Sequence, residues 1–238
     1  MSTLGFLKSL LPQNIKKNIK NHLGVPSLNW SLNNLKEIGY NPINVLDIGA
    51  YEGHWSKEFL YIYPTANILM FDAQESKTKV LESFASKHLN VNYVISLLSD
   101  EDGKMINFIE NETASHVSDN SSLHSNIKYS RKVDSLLHDL GFDTPDFIKI
   151  DVQGHELQVL RGAEKALESC VFCLLEVSLL NLGNEPPLIE VMNYMDEHGF
   201  QLYDISQFMR RPYDKALYQS DFLFIRKSAS FISQKRWI

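Results

Sequence analysis

Cysteine is nearly absent: the 238 residues hold only Cys170 and Cys173. No second Cys or Cys/His pair completes a zinc site. In an apolar, strand-like segment, residues three apart point to opposite faces. They read as two buried thiols in a reducing compartment. Basic charge is not in surplus either: Lys and Arg total 23 against 29 Asp and Glu, a formal net charge of −6. An acidic surface disfavours binding to phosphate backbones, so nucleic acid is not an expected partner. No apolar run approaches the ~20 residues of a membrane-spanning helix. Glycine and proline are sparse, 11 and 8 residues, and no internal repeat is evident. What remains is an ordinary globular composition, 44% hydrophobic and 22% charged, long enough for one large domain with a short extension. The N-terminal segment lacks the form of a secretory signal, because lysines interrupt it early and no small-residue cleavage site follows. The expected location is the cytoplasm.

Residues 1–25 place Leu4, Leu7, Leu10, Leu11, Ile15, Ile19 and Leu23 at helical spacing, with Lys8, Lys16, Lys17 and Lys20 between them. This predicts a helical extension that packs on the domain or on a second subunit, or lies on a membrane surface. A short helix over 29–39 closes at Gly39. The expected division is an extension over 1–40, a domain over 41–228 and a tail over 229–238.

From residue 43 strands and helices alternate. Strands are predicted at 43–48, 67–72, 91–96, 147–151, 171–177, 200–205 and 218–226, and helices at 54–63, 76–88, 134–141, 155–168 and 187–198. Such alternation implies a largely parallel, doubly wound sheet. The last two strands have no helix between them, so an antiparallel pairing is expected there. Residues 111–130, rich in Ser and Asn, read as a long loop, either a lid over the carboxyl edge of the sheet or plain surface.

In such sheets ligands bind beyond the carboxyl ends of the strands. Four strand ends here carry suggestive residues. The first is Asp47-Ile48-Gly49-Ala50-Tyr51-Glu52-Gly53. Gly49 and Gly53 let the backbone turn tightly and approach a ligand, and free N–H groups of the next helix can face a carboxylate. Asp47 can accept from an ammonium, directly or through water, which suits the amino-acid end of S-adenosylmethionine and suits a pyrophosphate poorly. The second is Asp72-Ala73-Gln74, where a carboxylate can accept both ribose hydroxyls of a nucleoside. The third is Ser99-Asp100, either of which could meet an adenine amino group, unless the stretch is only a polar turn. The fourth is Lys149-Ile150-Asp151-Val152-Gln153-Gly154-His155-Glu156. Lys149 and Asp151 alternate on a buried strand and point the same way, and buried charge is costly unless paired or functional. His155 opens a helix, whose dipole favours the neutral imidazole that can take a proton from a hydroxyl. Glu176 ends the next strand as a second acid/base or an acceptor anchor.

These residues resemble the FkbM family of methyltransferases, over a match from about Trp30 to Arg226. The pieces that carry it are Val45–Gly53, Ser99–Gly103, Lys132–Leu136, Phe147–Ala163 and Tyr218–Phe224, the stretch from Lys149 to Ala163 being the most specific. The resemblance implies an α/β, class I methyltransferase Rossmann-like fold. That fold is a seven-stranded, mostly parallel sheet with an antiparallel last strand and helices on both faces. It also implies S-adenosylmethionine as cofactor and a hydroxyl acceptor on a sugar, glycan or polyketide-type product. Carried over, Asp47, Gly49 and Gly53 match the cofactor loop, Asp72 the acidic ribose contact, Ser99 and Asp100 the adenine side, and Asp151 the acid near the methyl group. Ala50, Tyr51, Glu52, Ala73 and Gln74 complete the expected cofactor contacts. Asp151, His155, Glu176 and Lys149 are the expected catalytic set. Tyr51 stands where the family usually has Asn, and His155 stands at a variable position.

A divalent metal is not predicted, although Asp151, Glu176 and Asp221 could cluster around one. Two rivals stand beside this reading: an NAD-dependent oxidoreductase, which lacks the phosphate-binding glycine pattern here, and a catalytically silent cofactor-binding protein. A nucleic-acid methyltransferase ranks lower, because Ile150-Asp151-Val152-Gln153 is not the Asn-Pro-Pro-aromatic turn that grips a base amine.

Overall fold

The structure, a computed structural model, describes Pro12, Ile15 and residues 27–118, 125–183 and 185–233. The predicted helix over 1–25 therefore lies outside the described residues, apart from two positions, as does the tail after 233. The first described helix, α1 (Leu28–Glu37), starts where the Ser27 hydroxyl accepts from Trp30 N at 3.2 Å. Its apolar stripe, Leu28, Leu32 and Leu35, is buried in the same core as Val45, Phe59 and Ile68.

The alternation then runs β1 (Asn44–Ile48), α2 (His54–Ile62), β2 (Asn67–Asp72), α3 (Thr78–Ala85) and β3 (Val91–Ile95). A short excursion follows: β4 (Leu97–Leu98), β5 (Met105–Ile109), β6 (His116–Ser118) and β7 (Ser125–Arg131). The main fold resumes with α4 (Val133–Leu140), β8 (Phe147–Ile150), α5 (Glu156–Arg161), α6 (Glu164–Ser169) and β9 (Phe172–Ser178). It ends with α7 (Leu188–Glu197), β10 (Phe200–Arg210) and β11 (Leu217–Arg226).

Seven strands form the main sheet in the order β10-β11-β9-β8-β1-β2-β3. Only β11 runs against its neighbours β9 and β10, as the missing helix between the last two strands predicts. Side chains alternate across this sheet. Leu46, Ile48, Ile148 and Ile150 fill one apolar layer under α4 to α7. Val45, Ile68, Met70 and Phe147 fill the other with α1 and α2. The strand order reverses between β1 and β8, so the crevice at their carboxyl ends is the topological switch point.

Two expectations are corrected. Residues 111–130 are not one long loop. They hold a 3-10 turn at Glu112–Ala114 and strands β6 and β7, part of a four-stranded sheet ordered β4-β7-β5-β6. This small sheet is held by backbone pairing over a core of only Leu97, Ile106 and Phe108, with Ile127 and Tyr129 turned to solvent, so its apolar pattern is faint. The helix over 155–168 is two, because the chain bends at Gly162. A Cβ there would lie 2.1 Å from the Ser99 carbonyl oxygen.

Candidate active site

The crevice is built on a strained backbone. Beyond β1, Gly49 adopts φ +78° and packs so closely on β8 that a Cβ would sit 1.7 Å from the Asp151 carbonyl oxygen. Gly49 N and Ala50 N both donate to Phe71 O at 2.9 Å. Tyr51 follows at φ 51°, and its N–H donates to Asp72 Oδ2 at 2.7 Å. Gly53 then opens α2 without a side-chain cap, which leaves the first N–H groups of the helix facing outward. Among the described residues, five non-glycine positions have positive φ: Tyr51, Glu112, Gln153, Gln207 and Lys215. The first four line the cavities described next, which is where such strain concentrates.

A cavity of about 540 Å³ runs along the glycine turn, walled by Gly49, Ala50, Tyr51, Asp72, Ala73, Gln74 and Asp151, with Phe108 and Thr113 from the small sheet opposite. Asp72 is buried and takes one backbone donor on each oxygen, Tyr51 N and Gln74 N. A carboxylate has about four acceptor positions, so each oxygen keeps one for a neighbouring pair of hydroxyls. Burial holds the Asp72 carboxyl above its ordinary range. These residues fit S-adenosylmethionine: a glycine turn with no room for a Cβ, a buried diol acceptor, and a slot with mixed polar and apolar walls.

Asp47 and Lys149 face each other across β1 and β8, in register and on the same side of the sheet. Lys149 Nζ lies 3.1 Å from Asp47 Oδ1 and 3.5 Å from Asp151 Oδ2. The approach to Asp47 Oδ1 is oblique, so it acts as an ion pair, while a well-directed hydrogen bond of 2.8 Å goes to Gly49 O. The other Asp47 oxygen accepts from Ser56 Oγ at 2.6 Å. Burial would push the Lys149 ammonium towards neutrality, but Asp47 and Asp151 raise its pKa instead. Lys149 thus pins the glycine turn to β8 and is a positioning residue.

Asp151 directly follows β8, beside Glu176 of β9. Gln153 Nε2 bridges them, 2.9 Å from Asp151 Oδ1 and 2.7 Å from Glu176 Oε2, and Gln219 Nε2 also donates to Glu176 Oε2 at 2.6 Å. Burial opposes ionisation of Asp151, but the Lys149 charge and these hydrogen bonds hold its pKa below the ordinary value. Glu176 is driven the other way, by burial and then by the Asp151 charge. Two carboxyls whose surroundings separate them this way divide into an ionised base and a neutral acid. A second cavity of about 520 Å³ adjoins the first, sharing Trp55, Lys149, Asp151, Glu176 and Met209, and adding Leu174, Phe208 and Asp221. Asp221 is raised to about 7 by burial and the Asp151 charge.

Other predicted residues are not brought here. Asp47 is fully buried behind Lys149 and does not line the cavity. Glu52 and Gly53 shape the turn without lining it, and Glu52 sits 3.5 Å from Lys77. His155 Nε2 lies 2.9 Å from Ser99 Oγ. His155 and Asp100 line a third cavity of about 760 Å³, which meets the cofactor cavity at Ala114, Gln153 and Tyr218. Among the described residues, no group of three His, Cys, Asp or Glu side chains is placed to hold a metal ion, and Cys170 and Cys173 are free and buried.

Sequence reasoning missed Gln219, Trp55, the Glu112–Ser115 turn and Glu156. Glu156 is 4% exposed, and its Oε1 accepts from Gly154 N at 3.0 Å and Val152 N at 3.3 Å, bracing the turn that aims Gln153. Its signal was the Gln-Gly-x-Glu spacing at a helix start, where a side chain reaches back to free N–H groups.

Burial raises Glu156 to about 7. A carboxyl whose folded pKa is raised binds its proton more tightly in the folded state. Its contribution is whole below the unfolded pKa and is lost as pH climbs through the folded one. Glu156 and Asp221 therefore predict that stability falls between pH 5 and pH 8, by about 2–3 kcal/mol at ~1.4 kcal/mol per unit for one such group. Urea midpoints across this range check it. Glu156→Gln should flatten the slope, and a midpoint that rises with pH would contradict the assignment.

A sheet of this order, with one reversed strand and a glycine turn and acidic strand end at its switch point, defines a class I S-adenosylmethionine-dependent methyltransferase. The precorrin-6y C5,15-methyltransferase of Geobacter metallireducens GS-15 shares the fold, with a TM-score of 0.50 at 13% identity over 84% of this chain and 88% of that one. The S-adenosylmethionine-bound fibrillarin of Aeropyrum pernix superposes with a TM-score of 0.49 at 9% identity, over 79% of this chain and 68% of that one. A SAM-dependent methyltransferase of Aquifex aeolicus gives 0.43 at 17% identity, over 81% and 88%. No curated protein matches in sequence. The family described as "Methyltransferase FkbM domain" matches residues 47–202, and the chain belongs to it. It is a methyltransferase, and its cofactor is S-adenosylmethionine.

Proposed function

We propose that the chain methylates a hydroxyl oxygen of a sugar or glycan, with Asp151 as the base. The observation that carries this reading is the position of Asp151, in the wall common to the cofactor cavity and the adjoining 520 Å³ cavity. A carboxylate there reaches both the methyl donor's side and the acceptor's side. S-adenosylmethionine, when bound, supplies an electrophilic methyl group on its sulfonium. A hydroxyl is a poor nucleophile until its proton leaves. Lys149 keeps Asp151 ionised to receive that proton at Oδ2, while Gln153 holds Oδ1. Glu176 and Asp221 offer the adjoining cavity polar partners for further hydroxyls, and Trp55, Leu174, Phe208 and Met209 give an apolar wall for a ring's C–H face. Alignment of the two cavities and exclusion of water supply the remainder.

Transfer of labelled methyl from S-adenosylmethionine to a glycan extract tests this. The expected product, after acid hydrolysis, is an O-methyl sugar. Asp151→Asn should slow transfer by about 100-fold or more, the usual scale of general-base catalysis. Its affinity for S-adenosylhomocysteine should stay within about threefold, an energy difference well under 1 kcal/mol. Undiminished transfer by that variant, or label found only on nitrogen, would sink the proposal.

A further inference from the structure

The small sheet inserted between β3 and β8 presses the turn Glu112–Ala114 onto the cofactor cavity, where Thr113, Ala114 and Ser115 form the wall facing the glycine turn. Ser115 stiffens that turn, accepting from Asn111 N at 2.7 Å and donating to Glu112 O at 2.8 Å. The two walls are joined side chain to side chain. Glu112 Oε2 accepts from Tyr51 Oη at 2.6 Å and from Lys77 Nζ at 2.6 Å. Lys77 Nζ also stands 4.1 Å from the centre of the Tyr51 ring. Lys77 is buried, while Glu112 is open to solvent.

Three features set this trio apart from an ordinary surface ion pair, which contributes little. One carboxylate oxygen takes two donors, so its loss leaves a buried ammonium with Glu52, 3.5 Å away, and the Tyr51 ring. Tyr51 and Glu112 both hold left-handed backbone, φ 51° and 48°, which non-glycine residues adopt only when their surroundings hold them there. The apolar core beneath the insert is small, Leu97, Ile106 and Phe108 with Ala73 and Val117 against it, and the further ion pair from the insert, Lys128 to Glu75, is long at 3.8 Å.

We propose that Glu112 is a positioning residue for the cofactor: it clasps the inserted sheet to Tyr51 and Lys77, and opening of this clasp governs how fast the cofactor leaves. The clasp closes the cavity at its solvent side, so bound cofactor must wait for these contacts to part. Glu112 lines the cavity at its rim and need not touch the reacting atoms. The inference goes beyond the choice of acceptor and stands whichever group is methylated.

Surface plasmon resonance with the full chain immobilised and S-adenosylhomocysteine in flow reads the dissociation rate directly. Glu112→Ala should raise that rate about tenfold, a change of about one decade in residence time. Glu112→Gln, which keeps an acceptor but not the charge, should raise it less, and Tyr51→Phe should fall between the two. Raising salt from about 50 to 500 mM should speed release from the unaltered chain, since screening weakens exposed pairs, and should leave Glu112→Ala unmoved. Glu110→Ala is the control: it breaks the ion pair with Lys128 on the same insert, 3.5 Å long, and should leave the rate unchanged. Dissociation within twofold of the unaltered chain for both Glu112→Ala and Glu112→Gln overturns the proposal. So does an equal acceleration by Glu110→Ala, which would mean that any loosening of the insert suffices.

Discussion

Gly49→Ala will abolish S-adenosylhomocysteine binding, with affinity falling at least about 50-fold on the scale where each decade is 1.4 kcal/mol. The new methyl would lie 1.7 Å from the Asp151 carbonyl oxygen and 2.8 Å from its carbon. Both are backbone atoms, so no side chain can swing aside. Alanine also carries a penalty of about 1–2 kcal/mol in left-handed backbone, and overpacking adds about 1–3 kcal/mol. Relief requires the end of β8 to move away from β1, taking Asp151 and the floor of the crevice with it. Gly53→Ala is the comparison. It meets only ordinary contacts, Phe84 at 3.4 Å and Met70 at 3.5 Å, and bears the backbone strain alone. Calorimetric titration of both variants should show a large loss for the first and a small one for the second. Equal losses would mean that conformation, not the close approach to Asp151, governs the turn.

Lys149→Met should destabilise the chain by about 3–5 kcal/mol, the usual cost of leaving one buried charge without its partner. The charge left behind is Asp47, fully buried and then held only by Ser56. That is a large part of the ~5–15 kcal/mol by which domains are stable. Removing both charges should restore much of the loss, because a neutral pair of similar volume demands no compensation. Urea unfolding of Lys149→Met, Asp47→Asn and the double variant gives the coupling. Additive losses in the double variant would show that the two side chains do not act as a pair.

The main sheet was legible because its strands are apolar runs bounded by Gly, Pro and Asp, and because strand–helix alternation leaves few topologies. The cofactor wall was legible for a different reason: Gly49, Asp72 and Asp151 stand at strand ends, and sheets of this kind bind there. Asp47 was harder. Its place before the glycine turn suggested a ligand contact, but register with Lys149 decides its partner, and register between strands a hundred residues apart is not written in either strand. His155 was hard to place for a like reason. Its helix start was foreseen, yet the turn at Gln153 and Gly154 carries its ring to Ser99. The inserted sheet left almost no trace, since Met105, Ile127 and Tyr129 on its strands face solvent.

The Asp47–Lys149 contact also bears on how the chain assembles. β1 and β8 are neighbours in the sheet, yet everything from β2 to α4 is threaded between them. Closing that gap is among the slower events expected in folding, because distant segments must meet before any contact rewards them. If β8 docked one residue out of step, Lys149 would turn to the opposite face, into the layer of Leu46 and Ile48. A bare ammonium there would be expelled, and the misaligned strand with it. The ion pair therefore favours the observed alignment of β8 over its one-residue neighbours.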